Sequence, residues 1–147
     1  MSNTPIPDIL PSFDKLSFMS GACLAYSDAV GLGVKKLALS SPYTSEELEI
    51  MLKVIEYASQ RFGTVYKPEP NLLQTKLFPR DIAKGKTVVL IANNQSIIEE
   101  YTELKHLKKE SNQKGNPEKL EIEIARRFGK LLSYDDDSIT ELMERYR

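Results

Sequence analysis

The side chains most often used in covalent and metal chemistry are scarce in this chain, which has one cysteine, Cys23, and one histidine, His106. Cys23 lies on the apolar side of a predicted helix, where burial keeps a thiol protonated and unreactive. His106 lies between lysines in the segment LKHLKK, outside the apolar stripe of its helix and with no acid to orient it as a general base. Because zinc-type sites draw their ligands mainly from Cys and His, the sequence predicts neither a transition-metal site nor a cofactor.

An acidic cluster near the end of the chain, Asp135 to Asp137 with Glu141 one turn later, is the one group that could hold a hard cation such as magnesium or calcium. Its spacing differs from that of a calcium loop, which has a central glycine and a distant bidentate glutamate. Aspartates directly before SITELMERY also suit a helix cap, where they oppose the positive end of the helix dipole. We therefore expect the cluster to cap the last helix rather than to bind metal.

Polar side chains follow two predicted strands at the points where each strand gives way to a helix. In open α/β sheets, ligands bind beyond the carboxyl ends of parallel strands, where helix N-termini offer free amide donors. If the two strands are parallel and adjacent, both groups line one crevice suited to a small anionic ligand. A nucleotide cradle is weakly indicated, since no glycine-rich turn or Walker lysine is present. The candidate ligand-binding residues are Ser40, Ser41 and Tyr43 after the first strand, and Asn93, Asn94, Gln95 and Ser96 after the second.

A structural role for the second group is also consistent with the sequence. Ser96 followed by Glu99 forms a capping-box pattern, and Asn94 is equally suited to cap the next helix. Capping by either residue would account for much of the polarity of IANNQS without any ligand.

Hydrophobic periodicity indicates the elements that must position these residues. Thr44 and Glu47 form a capping box at the start of an amphipathic helix that ends at Gly63. The run VVLI has apolar residues of both parities, which predicts an inner strand buried on both faces. The other predicted elements are a helix from Phe18 to Val30, a strand from Val34 to Ser40, two weak segments broken by Pro68, Pro70 and Pro79 that suit an edge or an irregular excursion, and three helices after Ser96.

This order of elements predicts an α/β fold, with a small mixed sheet of about three to four strands covered by helices and a helical C-terminal third. A strand, a helix and a strand in succession imply a right-handed crossover. Pro5, Pro7 and Pro11 predict an extended N-terminal arm over residues 1–16, followed by a single α/β domain over residues 17–147.

Composition favours a cytoplasmic protein. The chain of 147 residues is 41% hydrophobic and carries a formal net charge of -1, which is ordinary for one globular domain. A single cysteine permits no intrachain disulfide, which fits a reducing compartment. The N-terminal residues lack the basic and apolar regions of a signal peptide, and the longest apolar run is too short to span a bilayer. We therefore expect no membrane association.

Positive charge is concentrated between Leu104 and Lys130, where eight Lys and Arg residues stand against four Glu. Such a segment could face nucleic acid, but glutamates interleave with the basic residues and Phe128, its only aromatic residue, belongs to an apolar stripe. A salt-bridged surface is the better interpretation. Arg126 and Arg127 stand among apolar helix positions, so we expect at least one guanidinium to reach a carboxylate or a bound anion.

Three functions are consistent with these observations. The favoured one is a non-enzymatic binding or regulatory domain, which uses the strand-end crevice for a small anionic ligand, or helical surfaces and the N-terminal arm for a protein partner, including a second copy in a homodimer. The alternative is an enzyme acting on a phosphorylated or carboxylated metabolite, with Asn93, Asn94 and Ser40 binding the anion and Asp28 or Glu69 as acid or base. Nucleic-acid binding through residues 105–130 is the least favoured.

Overall fold

A three-stranded sheet lies between two layers of helices in this protein. The computed structural model describes residues 6 to 146. The predicted α/β class, with a small sheet covered by helices and a helical C-terminal third, is confirmed. Every helix in the described range is too short or too polar to cross a lipid bilayer. The elements are α1 (Ile6–Ile9), α2 (Lys15–Gly31), β1 (Leu37–Leu39), α3 (Ser45–Phe62), β2 (Val65–Glu69), β3 (Val88–Ala92), α4 (Gln95–Gln113), α5 (Glu118–Leu131) and α6 (Asp136–Arg145).

The strand order is β1-β3-β2, so the last strand in the chain is the central one. β3 runs antiparallel to both neighbours, with Leu37 opposite Ala92 on one side and Glu69 opposite Val88 on the other. The first strand and the inner strand are therefore adjacent but not parallel, so the condition for a crevice shared by both candidate groups is not met. β1 and β2 run in the same direction and are linked through α3, but β3 is inserted between them.

The reversal of β3 follows from the segment 70–87, which leaves β2 and returns the chain beside it in the opposite direction. This segment forms turns and irregular structure. The sequence predicted that the two segments broken by prolines would form an edge strand or an irregular excursion. The first forms the edge strand β2, and the second lies in the irregular excursion that follows it.

The described residues form two hydrophobic cores, one on each face of the sheet. Both contain side chains of β3, because successive residues of a strand point to opposite faces of the sheet. Val89 and Ile91 pack with the buried residues of α2 and α3. Leu90 and Ala92 pack with those of α4, α5 and α6. All five residues of β3 are buried, which confirms the predicted inner strand covered on both faces.

The predicted capping box at the start of α3 is confirmed. The Thr44 hydroxyl accepts the Glu47 N–H at 3.2 Å, and the Glu47 carboxylate accepts the Thr44 N–H at 2.9 Å. The Thr44 N–H lowers the pKa of the Glu47 carboxyl, and Lys15 at 2.9 Å adds to this effect. The helix ends at Gly63, which has the left-handed conformation (φ 70°) that closes helices and that glycine adopts without strain.

Helix α2 is longer at both ends than the predicted range of Phe18 to Val30. Its last residue, Gly31, lies against the end of α3, and a Cβ atom at that position would stand 2.4 Å from the carbonyl oxygen of Phe62. Gly33 (φ 81°) then closes the helix. Gly31, directly after the predicted end of the helix at Val30, is thus a point of close helix contact that the sequence did not indicate.

The N-terminal arm is not wholly extended, since α1 forms one helical turn within it. Helix α2 also begins at Lys15, slightly before the predicted boundary, and residues 1–5, including Pro5, lie outside the described residues. Ile9 and Leu10 are both more than half exposed. The division into an arm over 1–16 and a domain over 17–147 stays a prediction.

Alkaline pH is expected to destabilise the fold partly through Tyr43, which forms a β-bridge with Thr87 and is 2% exposed. Burial raises the pKa of Tyr43 to about 12, although a hydrogen bond with Ser40 offsets part of the effect. The unfolded phenol ionises near pH 10 while the folded one stays protonated, so this contribution is complete below pH 10 and is lost as pH rises toward 12. The loss amounts to roughly 3 kcal/mol at 1.4 kcal/mol per pH unit.

Urea unfolding at several pH values between 9 and 12 measures this dependence. Tyr43→Phe should flatten the decline of the unfolding free energy in that interval. The same exchange at Tyr57, which is 55% exposed, is the control and should leave the slope unchanged. An equal slope in the Tyr43 variant and in the unmodified protein would contradict the assignment.

Candidate functional site

The two groups of candidate ligand-binding residues lie at opposite ends of the β1–β3 pair, because the two strands are antiparallel. The Ser40 N–H donates to the Val89 carbonyl at 3.0 Å, whereas the Asn93 N–H donates to the Lys36 carbonyl at 3.1 Å. The single crevice expected from the sequence therefore does not form. Strand direction is the physical reason, since the carboxyl end of β1 adjoins the amino end of β3.

The first group supports the connection from β1 to α3. The Ser40 hydroxyl accepts the Val89 N–H at 2.8 Å and donates to the Ser41 carbonyl at 2.8 Å. Tyr43 is a core residue, and Ser41 is half-buried. Of these residues, Ser40 borders the cavity described below. Ligand binding by the group stays a prediction.

The second group joins β3 to α4. The Asn93 side-chain amide donates to the Val30 carbonyl at 2.8 Å, which holds the end of α2 against the sheet. The Asn94 side-chain oxygen accepts the Ser96 N–H at 3.0 Å and also the Ser96 hydroxyl, so Asn94 is the N-cap of α4. Gln95 is exposed at the first position of the helix. Capping thus accounts for Asn94 and Ser96, and ligand binding by the group stays a prediction.

A cavity of about 220 Å³, here called the β1-edge cavity, lies beside β1. Five parts of the chain meet around it: α2, the stretch from Lys35 to Pro42, the excursion 70–87, the first residue of β3, and the turn between α5 and α6. A mostly apolar cavity with a few convergent polar groups is the usual form of a small-molecule site. Its polar side chains are Tyr26, Lys35, Ser40 and Tyr134, and its apolar walls include Leu39, Leu72, Phe78, Ile82, Val88 and Leu132.

Lys35 is the charged residue of this cavity. Its ammonium lies 5.4 Å from the centre of the Tyr134 ring, in the range of a cation–π contact. Among residues 6 to 146, no carboxylate oxygen lies within 4.0 Å of it. Burial lowers the pKa of Lys35, because a partly desolvated ammonium loses hydration that its aromatic neighbour only partly replaces. An anion in the cavity would supply the missing partner.

Two helix ends hold Lys35 and Tyr134 in place. After α2, Gly33 adopts a left-handed conformation and the Val34 N–H donates back to the Ala29 carbonyl at 2.9 Å, a Schellman motif directly before Lys35. After α5, Ser133 (φ 66°) takes the same conformation, and the Tyr134 N–H donates back into the last turn at 3.0 Å.

A hydrogen bond joins these two helix ends. The Lys36 N–H donates to the Ser133 hydroxyl at 3.0 Å, so the stretch that carries Lys35 is tied to the turn that carries Tyr134. Burial also raises the pKa of Tyr134, and the nearby Tyr26 adds to the shift. The Tyr134 hydroxyl therefore remains protonated and able to donate a hydrogen bond.

The two side chains expected to act as acid or base in an enzyme are not part of this cavity. Asp28 is exposed on α2. Glu69 is buried, but its carboxylate is engaged by the Lys105 ammonium at 3.0 Å and by the Asn71 N–H at 2.9 Å. This ion pair anchors the start of the excursion 70–87 to α4.

The remaining residues with reactive side chains have structural surroundings. Cys23 is buried, and burial raises the pKa of its thiol despite a hydrogen bond with Ser27. His106 is exposed on α4. The Asp135 side chain accepts the Ser138 N–H at 2.7 Å, which confirms the predicted cap of α6. Within the described part of the chain, no three His, Cys, Asp or Glu side chains come close enough together to hold a metal ion.

The basic segment 104–130 forms four ion pairs among the described residues, as expected for a salt-bridged surface, although only one of them uses a glutamate from within the segment. The pairs are Lys105 with Glu69, Lys108 with Glu121, Arg127 with Glu103, and Lys130 with Asp136. Arg127 thus reaches a carboxylate, at 3.9 Å, as expected for one of the two adjacent arginines. These pairs reduce the charge available to a nucleic-acid backbone.

A larger depression of about 750 Å³ lies where the excursion 70–87 meets α4 and α5. Most of its lining side chains are polar or charged. Lys108 and Glu121, which border it, already pair with each other. It lacks the apolar enclosure of a small-molecule site, and we therefore place the candidate site in the β1-edge cavity.

Sequence reasoning missed the residues that define this cavity. In the sequence, Lys35 belongs to a predicted strand and Tyr26 to a predicted helix, and no pattern indicates a role in ligand binding for either residue or for Tyr134. Their proximity depends on a hydrogen bond between Lys36 and Ser133, which are far apart in the chain. Comparisons of the chain with protein-family models, with curated proteins and with solved structures find no match.

Proposed function

We propose that this protein is a binding module for a small amphiphilic anion, such as a carboxylate on a compact apolar body, and that the β1-edge cavity is its binding site. The observation that carries this proposal is the half-buried Lys35 ammonium, which faces an apolar cavity and has no carboxylate within 4.0 Å among the described residues.

The cation and the apolar walls would act on different parts of such a ligand. A carboxylate beside Lys35 would gain a charge-assisted hydrogen bond in a partly desolvated setting, where charges interact more strongly than in open water. Burial of the ligand body against Leu39, Phe78 and Leu132 would add about 0.8 kcal/mol per buried methylene group. The hydroxyls of Tyr26 and Tyr134, which line the cavity, would donate the remaining hydrogen bonds.

The size of the cavity limits the ligand. Its volume of about 220 Å³ is below the range of roughly 300 to 1,000 Å³ that holds drug-sized molecules. A short-chain or single-ring carboxylate fits this limit better than a dinucleotide or a peptide. The lining has one cation and no carboxylate, which favours retention of an anion over acid–base chemistry on it.

The proposal is tested with sodium benzoate as the charged probe and benzyl alcohol as its neutral counterpart, by isothermal calorimetry. Lys35→Gln removes the charge while keeping a long polar side chain. We expect this change to weaken benzoate binding by about tenfold, equivalent to 1.4 kcal/mol, and to leave benzyl alcohol binding unaltered. The matched control is Lys53→Gln on the exposed side of α3, which should change neither.

Thermal unfolding of both variants separates loss of binding from loss of folding. The proposal fails if benzoate binds the Lys35 variant as tightly as the unmodified protein, or if no saturable binding of benzoate or hexanoate occurs at low salt.

The structure offers less support for the other functions that the sequence suggested. The enzyme hypothesis stays a prediction, since its proposed acid and base, Asp28 and Glu69, are solvent-facing and ion-paired respectively. Self-association also stays a prediction, to which the exposed apolar side chains of Ile6, Ile9 and Leu10 are relevant.

A further inference from the structure

A second group of charged residues surrounds a separate groove of about 270 Å³ between α4 and α5. Three basic residues come from the last turns of α5: Arg126, Arg127 and Lys130. The fourth, Lys36, comes from the start of β1 and is held there because its N–H donates to Ser133, directly after α5. We refer to this feature as the α4–α5 groove.

The positive charge of the groove is incompletely compensated. Lys130 pairs with Asp136 at 2.8 Å and Arg127 with Glu103 at 3.9 Å, but both pairs are exposed and of the kind that stabilises a protein little. Lys36 and Arg126 have no carboxylate within 4.0 Å in the part of the chain that the structure describes.

The groove is also lined by one acidic residue, Glu100 of α4. With four cations against this one carboxylate, the lining carries a net charge of +3. A multiply charged anion would therefore be attracted, although Glu100 would repel it.

We infer that the α4–α5 groove binds the phosphate or pyrophosphate group of a small molecule. The planar guanidinium of an arginine can bind two phosphate oxygens at once, and two arginines with two lysines match a group of more than one negative charge better than a single carboxylate. Release of Arg127 and Lys130 from their exposed partners would cost little, so both can turn toward the anion. This site does not depend on the β1-edge cavity or on its proposed ligand.

A polynucleotide is a poorer fit to the same residues. No aromatic side chain lines the groove, so bases would find no stacking surface. Three other basic residues of the segment 104–130 do not extend it: Lys105 and Lys109 line a different depression beside β2, and Lys108 borders the large depression near the excursion 70–87. The positive charge of these lysines is thus separated from the groove rather than arranged with it along one track.

Titration with sodium pyrophosphate, followed by calorimetry at low ionic strength, tests the inference. We expect saturable binding that weakens about tenfold in Lys36→Gln and in Arg127→Gln. Glu100→Gln should bind severalfold more tightly, because it removes the one repelling charge from the lining. Lys119→Gln, an exposed change in the first turn of α5, is the matched control and should leave the affinity unaltered.

Glu100→Gln should raise the affinity for pyrophosphate, whereas Lys36→Gln and Arg127→Gln should lower it. These opposite changes distinguish a specific site from general attraction to a charged surface. Equal losses in the control and in the groove variants would overturn the inference, as would the absence of saturable binding. Tighter binding of oligothymidylate than of pyrophosphate, weakened by Lys105→Gln as much as by Lys36→Gln, would replace the small-molecule site with a nucleic-acid surface. Unchanged pyrophosphate affinity in Lys35→Gln would show that this site and the β1-edge cavity act separately.

Discussion

Gly31→Ala is expected to lower the free energy of unfolding by about 2 to 3 kcal/mol, the upper part of the range for overpacking a close contact. The added Cβ atom would stand 2.4 Å from the Phe62 carbonyl oxygen and 3.2 Å from the Phe62 Cβ atom. The nearest atom belongs to the backbone, so no side chain can rotate to relieve the contact. Helices α2 and α3 would have to move apart, which loosens the core that they form on one face of the sheet.

The matched control is Gly21→Ala in the same helix. Apart from its chain neighbours and the backbone of its own helix, no atom lies within 4 Å of a Cβ built at Gly21, which is exposed. Alanine is favoured over glycine within a helix by about 1 kcal/mol, so this change should stabilise the protein. Urea unfolding followed by far-ultraviolet circular dichroism measures both. Opposite signs are expected, and a destabilisation common to both variants would contradict the close contact at Gly31.

Phe128→Ala is expected to cost about 3 to 5 kcal/mol, the range for removal of a large buried aromatic side chain. Phe128 is fully buried, and its ring lies 6.2 Å from that of Phe78 and 5.9 Å from that of Tyr101. These rings join α5 to α4 and to the excursion 70–87. Loss of the central ring would leave a cavity that rigid neighbours fill only in part.

Phe18→Ala is the control for this prediction, since Phe18 is 49% exposed and stacks on Phe13 at the surface. Its cost should be about 1 kcal/mol or less, as for most surface changes. Differential scanning calorimetry compares the two variants. Similar losses of stability would mean that Phe128 is not the centre of its core. Because Phe78 also borders the β1-edge cavity, the Phe128 variant should in addition weaken benzoate binding.

Local signals in the sequence were sufficient for most individual elements. The Thr44–Glu47 capping box, the left-handed Gly63 and the doubly apolar run of β3 each express a rule that acts over a few residues. Burial of Cys23 and capping by Asp135 follow from the same kind of local pattern. Where local chemistry decides the structure, the sequence was a reliable guide.

Strand direction and strand order lay beyond such signals. An apolar run reveals that β3 is buried on both faces, but its pattern is the same whether its neighbours are parallel or antiparallel. The outcome was decided by the path of the excursion 70–87, whose turns contain a non-glycine residue, Asp81, with a positive φ of 63°. The shared crevice required parallel strands and does not form, although the two groups do follow β1 and β3 in the chain.

The cavities were hidden for a related reason. Both the β1-edge cavity and the α4–α5 groove depend on the approach of Lys36 to Ser133, a hydrogen bond between distant parts of the chain. Ser133 adopts a left-handed conformation that serine seldom takes, so its residue type did not indicate the turn after α5. Lys35 and Lys36 therefore read as two neighbouring strand residues, whereas the fold directs them into two different concavities.

The position of β3 between β1 and β2 also constrains the order in which the protein can be built. During synthesis from the N-terminus, β1, α3 and β2 emerge first, yet neither strand has a pairing partner until the chain has extended to Ala92. Until then the nascent chain carries two strands with unpaired edges, the kind of species that associates with other chains. A segment of five residues thus completes the sheet and contributes side chains to both helical layers, so neither layer has its full core until β3 is present.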